Sequence, residues 1–185
     1  MASRLSSRLL GGTIHGVGCM SSGSTKAPVI GSGGGGSRLL IRPMATSDVP
    51  DVARIETTAF STPWSEETFR SLLHRTGVEL WVAEWGGQLA AYAILWEVLD
   101  EGELANIAVR KDLRGRGIGS YLLRRILEIA EDLGVRSLYL EVRESNGLAR
   151  EMYARRGFHE IGVRKGYYEE PREDARVLKK NLEGA

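Results

Sequence analysis

From Arg38 onward the apolar positions change spacing repeatedly, between a period of two and a period near 3.6, marking strands and helices in turn. Arg38-Leu-Leu-Ile-Arg-Pro43 reads as a short strand. Ser47 or Asp48 then caps a helix on which Val49, Val52, Ile55 and Ala59 share a face. A second helix opens at Ser65-Glu66-Glu67, with acids in its first turn and Phe69, Leu72 and Leu73 turned inward. Glu79–Trp85 and Gln88–Val98 are strands joined at Gly86-Gly87, a hairpin signal. Asp100-Glu-Gly102 turns the chain into a strand over Glu103–Val109, followed by a basic, glycine-rich loop. An amphipathic helix then runs to Leu133, where Gly134 stops it. Ser137–Val142 is a strand, Ser145 caps a helix that Gly157 ends, and Phe158–Val163 and Ala175–Lys180 form a closing pair of strands. The order β-α-α-β-β-β-α-β-α-β-β contains no internal repeat. It specifies an α/β (α+β) domain, a mixed sheet with helices on its faces.

The first 37 residues break this pattern. They hold ten glycines and eight serines and end in Gly31-Ser-Gly-Gly-Gly-Gly-Ser37. Such a segment buries too little apolar surface to offset chain entropy, so it is expected to be a disordered tail and linker preceding a domain over 38–185. Its start, Met1-Ala-Ser-Arg-Leu-Ser-Ser-Arg, is acid-free and Arg/Ser-rich as organellar transit peptides are. A remnant foreign to the protein, or an over-long translation start with Met20 a possible true start, is the reading favoured over targeting. Without a continuous apolar h-region, secretion is not indicated and the cytoplasm is the expected compartment.

Composition narrows the function classes. The 185 residues are 42% hydrophobic and 26% charged, ordinary for a globular chain. Five basic residues precede the first acid, leaving 20 basic against 24 acidic side chains from Asp48 onward. A body of that sign is a poor polyanion binder, so no nucleic-acid partner is expected. No apolar run reaches the roughly 18 residues of a membrane span, and no membrane partner is expected. One cysteine (Cys19) and three scattered histidines give no disulfide framework and no metal site.

The candidate chemistry begins at Arg114-Gly-Arg-Gly-Ile-Gly119, between a strand and a helix. Helix N-termini present unpaired N–H groups and a favourable dipole to anions, and glycines let the backbone approach closely. Arg110, Lys111, Arg114 and Arg116 add positive charge. The loop therefore suits a pyrophosphate. It lacks the Gly-Lys-Ser/Thr of a P-loop. A dinucleotide-binding turn needs glycine where Ser120 stands and its first glycine directly after the strand, whereas Arg110 to Arg114 intervene. A plain glycine-rich turn with solvated arginines remains open on these residues alone.

Other segments carry a resemblance. The Arg-x-x-Gly-x-Gly pattern at Arg114 to Gly119 resembles the GNAT acyltransferase superfamily. Phe60-Ser-Thr-Pro-Trp-Ser65, Asn106-Ile-Ala-Val109, Leu140-Glu-Val-Arg-Glu-Ser-Asn146, Met152-Tyr-Ala-Arg-Arg-Gly-Phe158 and Gly166-Tyr-Tyr168 followed by Glu173-Asp-Ala175 are similar, more narrowly, to the RimI-type N-terminal acetyltransferases of bacteria. The resemblance covers essentially all of 38–185. It implies a mixed, mostly antiparallel sheet flanked by helices on both faces. It also implies acetyl-CoA as cosubstrate, no metal, and as substrate the N-terminal peptide of a ribosomal protein beginning with alanine. The loop residues Arg114, Gly115, Arg116, Gly117, Ile118 and Gly119 would cradle the pyrophosphate of acetyl-CoA. The backbone of Ile107, Ala108 and Val109 would pair with its pantetheine arm, and Asn146 would contact it. Gly115 departs from the pattern, since relatives often carry a polar side chain there.

Acetyl transfer to an amine needs a base for the ammonium proton, a donor for the charge gathering on the carbonyl oxygen, and an acid for the departing thiolate. Leu138, Leu140 and Val142 face one side of their strand, and Ser137, Tyr139, Glu141 and Arg143 the other. Glu141 can therefore look into a cleft, and the resemblance makes it the proton acceptor, directly or through water. Tyr153 lies twelve residues on, in the following helix, where Ala149, Tyr153 and Gly157 recur at i+4 spacing. That spacing fits core packing, and the resemblance makes Tyr153 the proton donor. Phe60, Pro63 and Trp64 in an interhelical loop, with Tyr167 and Tyr168 in a loop between strands, read either as local packing or as the aromatic mouth of a peptide site. Acids at 169, 170, 173 and 174 could draw a basic peptide. The same residues would serve a lysine ε-amine or a small amine; a catalytically silent CoA-binding domain would need neither Glu141 nor Tyr153.

Overall fold

The structure is a computed structural model that describes residues 38–183; the expected tail over 1–37 lies outside them. Seven strands form one sheet in the order β1-β2-β3-β4-β5-β7-β6. They are β1 (Leu39–Pro43), β2 (Val78–Trp85), β3 (Gln88–Val98), β4 (Glu101–Val109), β5 (Ser137–Arg143), β6 (His159–Glu169) and β7 (Arg172–Asn181). All neighbours pair antiparallel except β4 with β5. The helices are α1 (Val49–Ala59), α2 (Glu66–Leu72), α3 (Ile118–Asp132) and α4 (Gly147–Ala154).

Two apolar clusters lie on the two faces of the sheet. One packs Leu122, Leu123 and Ile126 of α3 and Ala149 and Tyr153 of α4 against Ile107, Val109, Leu138, Leu140 and Val142. The other packs Val49, Val52 and Ile55 of α1 and Phe69 and Leu72 of α2 against Val82, Tyr92, Ile94 and Ala108. Alternation along each strand divides its side chains between these layers, which is why both faces are covered. The expected element order and the helices on both faces are all present.

Three local expectations need correction. The cap of α4 is Asn146, not Ser145: its Oδ1 accepts the Ala149 N–H at 3.3 Å. Asp48 stands before α1 but makes no side-chain cap there. Its carboxylate is taken by Arg42, at 2.6 and 2.9 Å, and by the Ala45 N–H at 2.7 Å. Tyr167 and Tyr168 are not in a loop, because β6 continues through both. Breaks in register between Glu160 and Gly162 and between Arg164 and Tyr168 absorb the irregular residues, and Gly166 takes φ +59°. The expected strand end at Val163 thus lies inside a longer, bulged strand.

Candidate active site

The parallel pair β4–β5 is short. Only Glu101, Gly102 and Glu103 register, against Ser137, Leu138 and Tyr139. A Cβ on Gly102 would meet Leu138 Cδ1 and Val135 Cγ1 at 3.0 Å, so glycine permits the tight approach at the base of this fork. A register shift in the β3–β4 pair, between Ile94 and Leu95, follows at once. Beyond Glu103, β4 keeps β3 on one side and no strand on the other among the described residues. Ile107, Ala108 and Val109 lie on this stretch, whose outer edge no other strand covers among the described residues.

At the end of β4 the chain passes through the glycine loop into α3. Gly115 and Gly117 take φ +78° and +80°, and an added Cβ at either would meet nothing within 4 Å. Gly115, the departure from the family pattern, therefore sits where glycine is the least strained residue. Among the described residues no hydrogen bond engages the amides of Gly115 through Ser120; the first from this turn is Tyr121 N–H to the Gly117 carbonyl at 3.0 Å. Gly119 brings α3 against the strand end, where a Cβ would stand 3.2 Å from Val109 Cγ2. Ile118 is buried and anchors the first turn. Arg114 folds back, its Nε donating to the Val109 carbonyl at 3.0 Å, while Arg116 is exposed. Unengaged amides at a helix N-terminus with adjacent cationic groups fit the diphosphate of a CoA thioester.

Glu141 and Tyr153 come from opposite layers. Leu138, Leu140 and Val142 belong to the α3–α4 side, so Glu141 points to the α1–α2 side. It is only 7% exposed. Its Oε1 accepts from Arg164 Nη1 of β6, and the Tyr167 hydroxyl also hydrogen-bonds this carboxylate. Oε2 is buried with no hydrogen-bond partner. Tyr153 lies on the other layer, fully buried, with its ring edge-on to Phe158 at 5.6 Å. Burial, with Tyr168 adding to it, pushes the Tyr153 phenol well above its usual range, so it keeps its proton at neutral pH.

Glu103, at the last registered position of the fork, is half-buried and opposite Tyr139, on Glu141's side of the sheet. Burial first and the charge of Glu141 second raise its pKa to about 8, against the pull of Arg164. From the ordinary value of 4.5 up to about 8 the folded protein thus holds a proton that the unfolded chain has released. Stability therefore declines as pH rises through this window and levels off above it. Allowing for the water that reaches this side chain, the penalty at pH 9 is about 2 kcal/mol. Glu103→Gln is expected to raise Tm by several degrees at pH 9 and to change it little at pH 5, read by thermal melts at both. Equal effects at the two pH values would refute the assignment.

The aromatic residues are only partly gathered. Phe60 is buried in the α1–α2 cluster, and Tyr168 is buried as well. Trp64 is half-buried with its ring 5.9 Å from Phe69, and Pro63 is exposed. Tyr167 and Tyr168 meet edge-on at 5.1 Å, with Arg164 over the first ring at 4.7 Å and Arg143 over the second at 4.1 Å. Asn146 uses its side-chain oxygen as the α4 cap, which leaves its amide nitrogen for a ligand. A further buried carboxylate escaped the sequence reading. Glu56 of α1 is fully buried, takes the Trp64 N–H on Oε1 at 3.0 Å and the Tyr92 hydroxyl on Oε2, and so fastens the 60–65 loop to the sheet.

Comparison with known proteins agrees with this geometry. Residues 49–158 match the family model described as Acetyltransferase (GNAT) family. The [Ribosomal protein bS18]-alanine N-acetyltransferase of Escherichia coli (strain K12) is 39% identical over 140 residues, 75% of this chain and 94% of that protein. The enzyme of the same name from Haemophilus influenzae is 37% identical over 142 residues, 75% of this chain and 96% of its own. The crystal structure of the ribosomal-protein-S18-alanine N-acetyltransferase from Escherichia coli superposes with a TM-score of 0.74 at 38% identity, over 80% of this chain and 96% of that one. A strand fork, a helix N-terminus with unengaged amides and this extent of identity lead to one assignment: the chain belongs to the GNAT acetyltransferase family.

Proposed function

We propose that this protein transfers acetyl from acetyl-CoA to the N-terminal α-amine of a protein, in a ternary complex and by direct attack of the amine. Its substrate is the alanine terminus of a ribosomal protein, met in the cytoplasm. The observation that carries the reading is the split assignment of charge. An unpartnered carboxylate oxygen, Glu141 Oε2, waits on the α1–α2 side, and a phenol that keeps its proton waits on the α3–α4 side. Acetyl-CoA supplies the activated acyl group, with Gly115 to Gly119 holding its diphosphate. The free edge of β4 at Ile107 to Val109 would align the pantetheine arm in the fork, and a backbone N–H there would receive the charge on the carbonyl oxygen. An α-ammonium (pKa about 7.7–8.0) entering from the α1–α2 side would give its proton to Glu141, directly or through water. Tyr153 would donate its proton to the departing thiolate. Phe60, Pro63, Trp64, Tyr167 and Tyr168 are the residues proposed to shape the peptide's path, with Phe60 and Tyr168 acting from beneath through the packing of the lips.

Incubation with acetyl-CoA and a peptide beginning with alanine, followed by tandem mass spectrometry, is expected to add one acetyl group on the α-amine. The same peptide with a blocked terminus and an internal lysine should gain none. Acetylation confined to the lysine would overturn the reading.

A further inference from the structure

Arg143 is the last residue of β5, two beyond Glu141 and on the same face. Its guanidinium reaches three separate parts of the chain. Nη2 donates to Ser61 Oγ at 3.1 Å, in the loop between α1 and α2. Nη2 also donates to the Glu170 carbonyl at 2.9 Å, and Nη1 to the Pro171 carbonyl at 3.2 Å, both in the turn between β6 and β7. Nη1 further donates to Glu173 Oε2 at 3.2 Å, and the whole group lies 4.1 Å over the Tyr168 ring. Glu173 in turn accepts the Ser145 N–H on its other oxygen, just ahead of the Asn146 cap. Burial tends to raise the Glu173 carboxyl, but Ser145 and Arg143 together hold it below its usual range, so it stays an anion beside the arginine.

The Ser61 and Glu170–Pro171 segments stand 82 and 27–28 residues from Arg143 along the chain, and the guanidinium is their shared contact. Through these bonds Arg143 ties the α1–α2 loop to the β6–β7 turn at the end of β5, on the face that carries Glu141. A slot closed at one end accepts a chain that stops. It rejects a lysine in mid-chain, whose flanking backbone must leave in two directions.

We propose that Arg143 is a positioning residue that brackets the two lips of the substrate slot and thereby sets its preference for a chain terminus over an internal lysine. The inference rests on the proposed α-amine acetylation and adds to it the residue that enforces the choice. The planar fork of donors is what lets one side chain hold a hydroxyl, two carbonyls and a carboxylate at once; the single ammonium of lysine cannot reproduce it.

The test compares the full-length protein with Arg143→Gln, Arg143→Lys, Ser61→Ala and the Ser61→Ala/Arg143→Gln double variant. Each is assayed on an alanine-terminal peptide and on an N-terminally blocked lysine peptide, and each is melted thermally. Ser61 is exposed, so its truncation should leave the fold intact. For Arg143→Gln we expect KM for the terminal peptide to rise at least tenfold, kcat to change less than threefold, and KM for acetyl-CoA to stay constant. Lysine acetylation should become measurable. Arg143→Lys should recover only part of the loss, and Ser61→Ala should raise the peptide KM severalfold. The double variant should do no worse than Arg143→Gln alone, because both changes cut the same link. An unchanged peptide KM and selectivity in a folded Arg143→Gln protein would overturn the bracket. Additive effects in the double variant would overturn it too. Failure of the wild-type protein to acetylate the α-amine would instead overturn the reading beneath it.

Discussion

Glu141→Gln is expected to lower kcat on an alanine-terminal peptide by roughly 100- to 1,000-fold, with KM for acetyl-CoA unchanged, a span typical of losing a general base. The substitution keeps the side chain's shape and one carbonyl oxygen, so the slot and the diphosphate cradle survive. What disappears is the buried anion able to take a proton at Oε2. The partner left behind, Arg164, sits at the half-buried edge of the cleft, where water can solvate it. The pH dependence separates a base from a merely structural carboxylate. An α-amine loses its proton unaided above its pKa of about 8, so the deficit of Glu141→Gln should shrink between pH 7 and pH 9.5. Tyr153→Phe should retain the ring packing on Phe158 and cost about 10- to 100-fold in kcat, through slower protonation of the thiolate. Combined, the two should cost less than the product of their separate effects, since both act on one transition state. Full turnover in both single variants would reject these roles.

How much of this could be read from the chain depends on how local each feature is. The face occupied by Glu141 was legible because Leu138, Leu140 and Val142 alternate without interruption and β5 carries no bulge. The glycine loop was legible because positive φ at Gly115 and Gly117 is demanded locally, next to an amphipathic helix. Arg164 was not, because its position against Glu141 depends on β7 lying between β5 and β6 and on two breaks in register. Glu56 looks like a solvated helix position. Its burial becomes visible only once α1 lies on the sheet over Tyr92 and Asn106, whose side-chain nitrogen stands 3.4 Å from Glu56 Oε1. Tyr167 and Tyr168 were placed in a loop because the expected strand stopped at Val163, and a bulge and a turn leave the same mark in sequence. Local periodicity thus specified the layers and the face that Glu141 occupies, and the resemblance supplied its role as candidate base, whereas the side chains around it are assembled by long-range pairing.

Gly117→Pro is expected to raise the Kd for CoA by at least 100-fold, measured by isothermal calorimetry. Gly117 is the N-cap of α3 with φ +80°, and proline is confined near −65°, so the turn cannot keep its path. The substitution also deletes one of the unengaged amides at the helix N-terminus. Because such a change could also loosen α3, Gly117→Ala serves as the discriminating variant. Alanine keeps the N–H, and its Cβ meets no protein atom within 4 Å, so the protein should fold with a left-handed strain of about 1–2 kcal/mol. If this space is where the diphosphate lies, the same Cβ intrudes on the ligand, and affinity should fall about tenfold while Tm drops only a few degrees. Ser120→Ala, one step into the helix, keeps its amide and removes only the hydroxyl that accepts from Arg156 at 3.0 Å, so it should bind CoA nearly as the parent does. Calorimetric affinity unchanged in Gly117→Ala and Gly117→Pro alike would move the diphosphate away from this turn. The alignment of the thioester in the fork would then have to be sought from another anchor.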